Sequence, residues 1–311
     1  MISRRNIRVK VMQTLYSLSS FEKEDTLNKH KVTVMLDEKL NQVLDVFTVC
    51  VLYPLRVAQY AESDSLHRSS KYLRTTEDMN VNVHIATNSY VLKTLGKASF
   101  TEKIKKEKLD RFIDESWVKK LYLALAKTSE YETYITATEP TPTQDKEIIQ
   151  FIWEKLMMEN ELLTSSFIDD LPGWEDNGEL IIMLMQNFFK SDSRIDFNKL
   201  LSTEKKTYAH DLLLAVIDKE EYCQELISPK LTNWDKERVA LIDMLLLRMA
   251  VCEFLYFPTI PAKVTINEYI DIAKQYSMPQ SGQFVNGVLD NLLKELEKDN
   301  KIRKQDRINK K

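Results

Sequence analysis

Glycine and proline are scarce in this chain, five and eight among 311 residues. Turn-rich β architecture uses both, so their scarcity argues for long helices. The five glycines never cluster, which excludes glycine-rich phosphate loops. Cysteine is as sparse. Cys50, Cys223 and Cys252 are an odd, scattered set in apolar surroundings with no CxxC pair, which argues for a reducing compartment and against a disulfide framework. His30, His67, His84 and His210 lie far apart and form neither HExxH nor a Cys/His pattern, so no metal is expected. No G-x-S-x-G elbow is present. Carboxylates are plentiful but fall on solvated helix faces or at caps, so neither a catalytic centre nor a cofactor is expected. No apolar run follows the basic start, and no segment offers about 18 uncharged apolar residues. Neither a signal peptide nor a membrane span is therefore expected, and the expected location is cytoplasmic.

What is present is apolar residues at helical spacing. Apolar content is 43%, enough for one large domain or two small ones with real cores. Helical patterns cover about 4–19, 34–73 with Pro54 inside, 83–95, 100–134, 144–165, 178–190 and 203–227. "TATEPTPTQD" (136–145) reads as a linker and Leu171-Pro172-Gly173 as a second break. The net charge of −3 is uneven: residues 1–10 carry +4 and residues 298–311 carry +5, leaving −12 for the body. A basic tail either keeps a protein solvated or meets an anion such as nucleic acid.

The most apolar helix follows "LTNWDKERVALIDMLLLRMAVCEFLYFP", with Thr232 and Asp235 as a capping box. Its hydrophobic residues lie all round, so it is expected to be central and buried. Asp243, Arg248 and Glu253 interrupt it and point three ways. Arg248 and Glu253 read as structural ion pairs, and Asp243, near the helix start, as exposed for a partner. "TINEYIDIAKQY" opens on Thr265 and Glu268, a second capping box. In "QFVNGVLDNLLKELE" the apolar stripe centres between Phe284 and Leu289, and Gly287 lies off it. A glycine inside a helix costs about 1 kcal/mol against alanine. Either another helix crosses closely there or a ligand approaches.

"LLLRMAVCEFLYFPTIPAKVTINEYIDIAKQYSMPQSGQFVNGVLDNLL" carries L-R-x-A-x-x-E, P-x-K-V-x-I-N-E, A-K and F-V-N-G-V-L-D in order. It resembles the C-terminal half of the bacterial transcription antitermination factor NusB family. "RRNIRVKVMQTLYS" resembles that family's opening, R-R-x-x-R followed by Q-x-L-Y, and "YAHDLLLAVIDKEEYCQELISPKLTNW" is similar to the segment before the central helix. The resemblance implies an all-α fold, a NusB-like helical bundle of two three-helix bundles, formed by 1–20 with 195–297. Residues 21–194 become an inserted helical region and 298–311 a basic C-terminal tail. It also implies a function: binding single-stranded boxA-type RNA together with the NusE small-subunit ribosomal protein, within an RNA polymerase elongation complex, so that ribosomal RNA operons are read through. The alternatives are a helical protein-interaction scaffold, and a relative of the helical domain of an rRNA methyltransferase, whose glycine-rich cofactor domain is missing here.

The resemblance implies RNA contacts at Arg4, Arg5, Arg8, Gln13, Ser281, Gln283, Phe284 and Asn286, with Phe284 stacking a base and Asp243 facing the protein partner. Asn6 stands where an arginine often extends the basic cluster, and Gln283 where a lysine often precedes the Phe. The residues carry part of this on their own. Ser3 is a plausible N-cap that puts Arg4 and Arg5 in the first helical turn, where cations oppose the helix dipole. Such arginines make sense if phosphates lie across that end, while a frayed terminal helix would tolerate them at little cost.

Overall fold

The computed structural model describes residues 2–19, 28–70, 72, 75, 82–191, 195–231 and 240–304. Among the described residues there are helices and no strand. The α-helices are α1 (Arg4–Leu18), α2 (Lys29–Ser69), α3 (Ser89–Leu95), α4 (Ala98–Glu107), α5 (Glu115–Leu125), α6 (Ser129–Thr136), α7 (Pro142–Phe151), α8 (Glu161–Asp170), α9 (Trp174–Ser191), α10 (Thr203–Asp218), α11 (Glu220–Ile227), α12 (Leu241–Tyr256), α13 (Ala262–Tyr276) and α14 (Ser281–Lys298). The chain divides into two compact units, one of residues 41–200 and one of residues 2–40 with the chain from 201 onward. The first boundary falls inside α2.

The 41–200 unit is built on the second part of α2. Among the described residues, α2 is the helix long and apolar enough to cross a membrane, yet 78% of its apolar window is buried in the fold. The ring of Phe47 on this helix stacks on Phe197 and meets Phe188 edge-on, both at 6.0 Å. Local chemistry explains where the helices stop. The stretch read as one helix over 100–134 is cut by Lys108 in the left-handed conformation (φ 53°) and restarted by the side-chain caps Asp114 and Thr128. Much of the expected linker 136–145 is a helix start: Thr141 and Gln144 form a capping box with Pro142 at the first position. Gly173 has φ +91°, and Gln42 Cγ lies 2.5 Å from where a Cβ would stand, so the turn into α9 accepts only glycine.

In the other unit α12 is the hub, with mutually packed triads α1–α10–α12 and α12–α13–α14 sharing it. Leu246, Leu247, Met249, Ala250, Val251 and Cys252 are all fully buried, as an all-round apolar helix requires. Thr232 and Asp235 lie outside the described residues. Helix α12 is described from Leu241, and its N-cap, Ala240, makes no side-chain cap bond. The capping box expected at Thr265 and Glu268 is corrected. Helix α13 already starts at Ala262 behind Pro261, so both residues sit inside it and their side chains bond elsewhere. Helix α14 ends with Asn300 at φ 53° and Lys301 N–H donating to the Leu296 carbonyl, which satisfies a terminal acceptor.

Candidate nucleic-acid interface

Helix α1 begins as its sequence suggests. Ser3 caps it, and Asn6 closes the box by accepting from the Ser3 N–H at 3.2 Å. The departure from arginine at position 6 thus has a local structural use. No acid lies in the first turn of α1, so its arginines find carboxylates on other helices. Arg4 pairs with Glu204 of α10 at 2.6 Å. Arg5 pairs with Glu268 at 2.9 Å and Asp271 at 2.8 Å, both on α13. The Glu268 hydrogen bond raises the Arg5 pKa against the opposing effect of burial.

Arg8 is a different case. It is only 2% exposed and donates to Glu253 through Nε (2.7 Å) and Nη2 (3.1 Å). Burial works against its charge, but the adjoining carboxylate more than offsets this and the pKa is raised. Glu253, fully buried, also accepts from Thr265 Oγ1 (2.9 Å), Tyr269 OH (3.2 Å) and Tyr208 OH. Burial, and then the Glu253 charge, push both phenols well up, so they stay neutral donors. One carboxylate on α12 therefore ties α1, α10 and α13 together. The expectation of a phosphate-facing Arg8 is corrected: its head group lies inside the bundle.

The start of α14 also differs from expectation. Ser281 is buried and donates to Asp243 Oδ2 at 2.6 Å. Asp243 is only 3% exposed, which corrects its reading as an exposed partner residue. Among the described residues its Oδ1 accepts no hydrogen bond. Phe284 is 5% exposed and, like Val285, Val288 and Leu289, lies on the buried face of α14, so its ring is a core ring. Gln283, Asn286, Gly287 and Asp290 are exposed and, at helical spacing, form one strip. Among the described residues, a Cβ added to Gly287 would meet nothing within 4 Å, so no described helix crosses closely there. Gln13 is half-buried and accepts from Lys10 Nζ at 2.7 Å.

The structure thus gathers the arginines into one cluster with α10, α12 and α13, and joins Ser281 to Asp243 in another. The carboxylates that neutralise the arginines, Glu204 and Asp271 above all, were missed in the sequence. The available signal was cations in a first turn without acids of their own. Arg248 pairs with Glu220 at 2.6 Å, a structural ion pair as expected. Part of the basic tail is engaged as well: Lys304 Nζ donates to the Glu253 (2.7 Å) and Phe257 (3.0 Å) carbonyls at the end of α12. Burial there lowers its pKa to about 8.

The NusB family model matches residues 176–294, from α9 to near the end of α14. The transcription antitermination protein NusB of Koribacter versatilis is 40% identical over 103 residues, covering 33% of this chain and 70% of that protein. The chain belongs to the NusB family. The NusB of Salinibacter ruber is 41% identical over 102 residues, 33% of this chain and 64% of its own length. That of Dictyoglomus turgidum is 30% identical over 125 residues, 40% of this chain and 86% of its own. No solved structure matches. The segment from 41 to 175 lies outside the family match.

Proposed function

We propose that this NusB-family chain is a transcription antitermination factor that binds single-stranded boxA-type RNA together with the NusE small-subunit ribosomal protein, in the RNA polymerase elongation complex of ribosomal RNA operons. One observation carries the reading: residues 176–294 match a family whose curated relatives are named transcription antitermination proteins. The surface of the α1 and α12–α14 unit supports it. Arg4 and Arg5 keep partly exposed head groups, and Gln283 and Asn286 offer amides beside the bare backbone of Gly287. Arg8, Ser281 and Phe284 act from beneath, by holding α1 and α14 in place. Asp243 bears on the partner in the same indirect way, through Ser281.

The ion pairs change the expected energetics. A phosphate reaching Arg4 or Arg5 displaces Glu204 or Asp271 and does not meet a free cation. Each such contact then contributes less than the ~0.7 of salt slope that a free cation gives on a single strand. The test is a salt titration of binding to a boxA-like RNA, with and without the NusE-type protein. Arg4→Ala with Arg5→Ala weakens binding and flattens the slope. Binding and slope equal to those of the native chain, at full folding, would refute the assignment.

A further inference from the structure

Two of the three cysteines meet. Cys223 lies on α11 and Cys252 on α12, and their sulfurs are 3.6 Å apart, both fully buried. Cys50 is buried in the other unit. The guanidinium of Arg248, one turn before Cys252, reaches across to α11. It bonds Glu220 at 2.6 Å and Gln224 at 3.0 Å, the residues that flank Cys223. Its Nε is buried and has no acceptor among the described residues.

We propose that Cys223 and Cys252 form a buried dithiol site that hydrogen peroxide oxidises to a disulfide joining α11 to α12. The sulfurs need to close from 3.6 Å to about 2.05 Å. The two thiols are unequal. The hydrogen bond between the two sulfurs lowers the Cys223 pKa against the opposing effect of burial, and the Arg248 charge adds to the lowering. The same hydrogen bond and burial raise that of Cys252. Arg248 binds the helix of Cys223 at Glu220 and Gln224, so Cys223 sits beside the cation and is the nucleophile, with Cys252 the resolving thiol. Complete burial selects a small uncharged oxidant over exchange with a protein disulfide, which needs an accessible sulfur.

The chemistry balances. The Cys223 thiolate attacks one peroxide oxygen, the O–O bond breaks, and a sulfenic acid and hydroxide result. Cys252 then attacks the Cys223 sulfur. The S–S bond forms, the S–O bond breaks, and the departing hydroxide takes up the Cys252 proton. Two thiols and one peroxide give one disulfide and two waters. The cross-link closes a loop that holds the start of α12, including Asp243, and it acts chiefly on the unfolded chain.

The full-length protein is treated with hydrogen peroxide, alkylated in denaturant and mapped by mass spectrometry. The expected result is a Cys223–Cys252 linked peptide, lighter by two hydrogens, with Cys50 alkylated and the oxidised protein melting several degrees higher. Cys252→Ser leaves a Cys223 sulfenic acid that dimedone traps once denaturant exposes it, and Cys223→Ser leaves Cys252 unlabelled. Two outcomes overturn the proposal: both thiols alkylated at a peroxide dose that oxidises the exposed Met278, or Cys223 recovered as sulfinic acid with Cys252 still free. Neither readout depends on whether the chain binds RNA.

Discussion

Gly287→Ala separates packing from binding at one position. Gly287 is inside α14, six residues beyond its first residue, and an added Cβ meets no atom of the described residues within 4 Å. The steric term is therefore nil, and only the helix-propensity term remains, about 0.8–1.0 kcal/mol in favour of alanine. Gly→Ala at a compatible site stabilises chiefly by reducing the freedom of the unfolded chain. A gain of 1 kcal/mol raises Tm by about 2–4 °C in a chain of this general size. If RNA or its protein partner approaches the bare backbone of the Gln283–Asn286–Gly287 strip, the new methyl crowds it at a cost of about 1–3 kcal/mol, some 5- to 150-fold in affinity. The expected result is a protein that melts higher and binds boxA-like RNA, alone or with NusE, less well. Thermal melts and a binding titration on the same preparation read both. A lower Tm would refute the packing argument. A higher Tm with unchanged affinity in both titrations would remove Gly287 from the interface. Gly282→Ala is the internal contrast: its Cβ would stand 2.8 Å from Lys274 Cγ, so that side chain has to move and the melt falls.

Three further outcomes follow from the polar contacts. Arg8→Ala strands the buried Glu253 charge and costs about 3–5 kcal/mol in urea unfolding, whereas Arg4→Ala, at an exposed pair, stays within ~0.5 kcal/mol; equal costs would contradict the burial difference. Ser281→Ala removes the hydroxyl from buried Asp243 and costs about 1–3 kcal/mol, and Asp243→Asn in the same background recovers part of it; no loss of stability in the single variant would show that Asp243 is hydrated. Asp37 accepts from Lys206 (2.9 Å) and His210 (2.7 Å), and these bonds outweigh burial, so its pKa is held below the ordinary value. The folded state then binds fewer protons than the unfolded one, so this stability is complete above about pH 4 and is lost as the pH falls through the lowered folded pKa; Asp37→Asn flattens that part of the pH–stability curve, and an unaltered curve would refute the assignment.

Much of the helical architecture was legible because apolar spacing and cap chemistry act locally. The all-round apolar run of α12 marked the hub, and Ser3 marked the start of α1. What was not legible depended on partners distant in the sequence. Thr265 and Glu268 have the spacing of a capping box, but the fold carries both into the interior of α13, where Glu253, Arg5 and Arg8 claim them. Arg8 looks like Arg4 and Arg5 in the sequence. Helical geometry puts Arg8 on the same face as both, one turn further along, and it is buried because Glu253 of α12 and Glu268 of α13 close over that turn. Asp243 similarly owes its burial to Ser281, 38 residues later. Local pattern gives no sign of which charge a distant helix will cover.

The Arg8–Glu253 pair also sets a timetable for synthesis. The two residues are 245 positions apart, and Arg5 and Glu268 are 263 apart. At about 5–20 residues per second on the ribosome, roughly 12–50 s separate the emergence of Arg8 from that of its carboxylate. Within that interval α10 brings Glu204 to Arg4, but Arg8 still lacks its counter-charge and α1 the apolar surface of α12. Ile7, Val11 and Leu15 belong to a helix that packs on α10 and α12 alike, so its packing is completed only when α12 has been made. The salt bridges that hold α1 span 200 to 263 positions, so its docking waits for α10, α12 and α13 to be made.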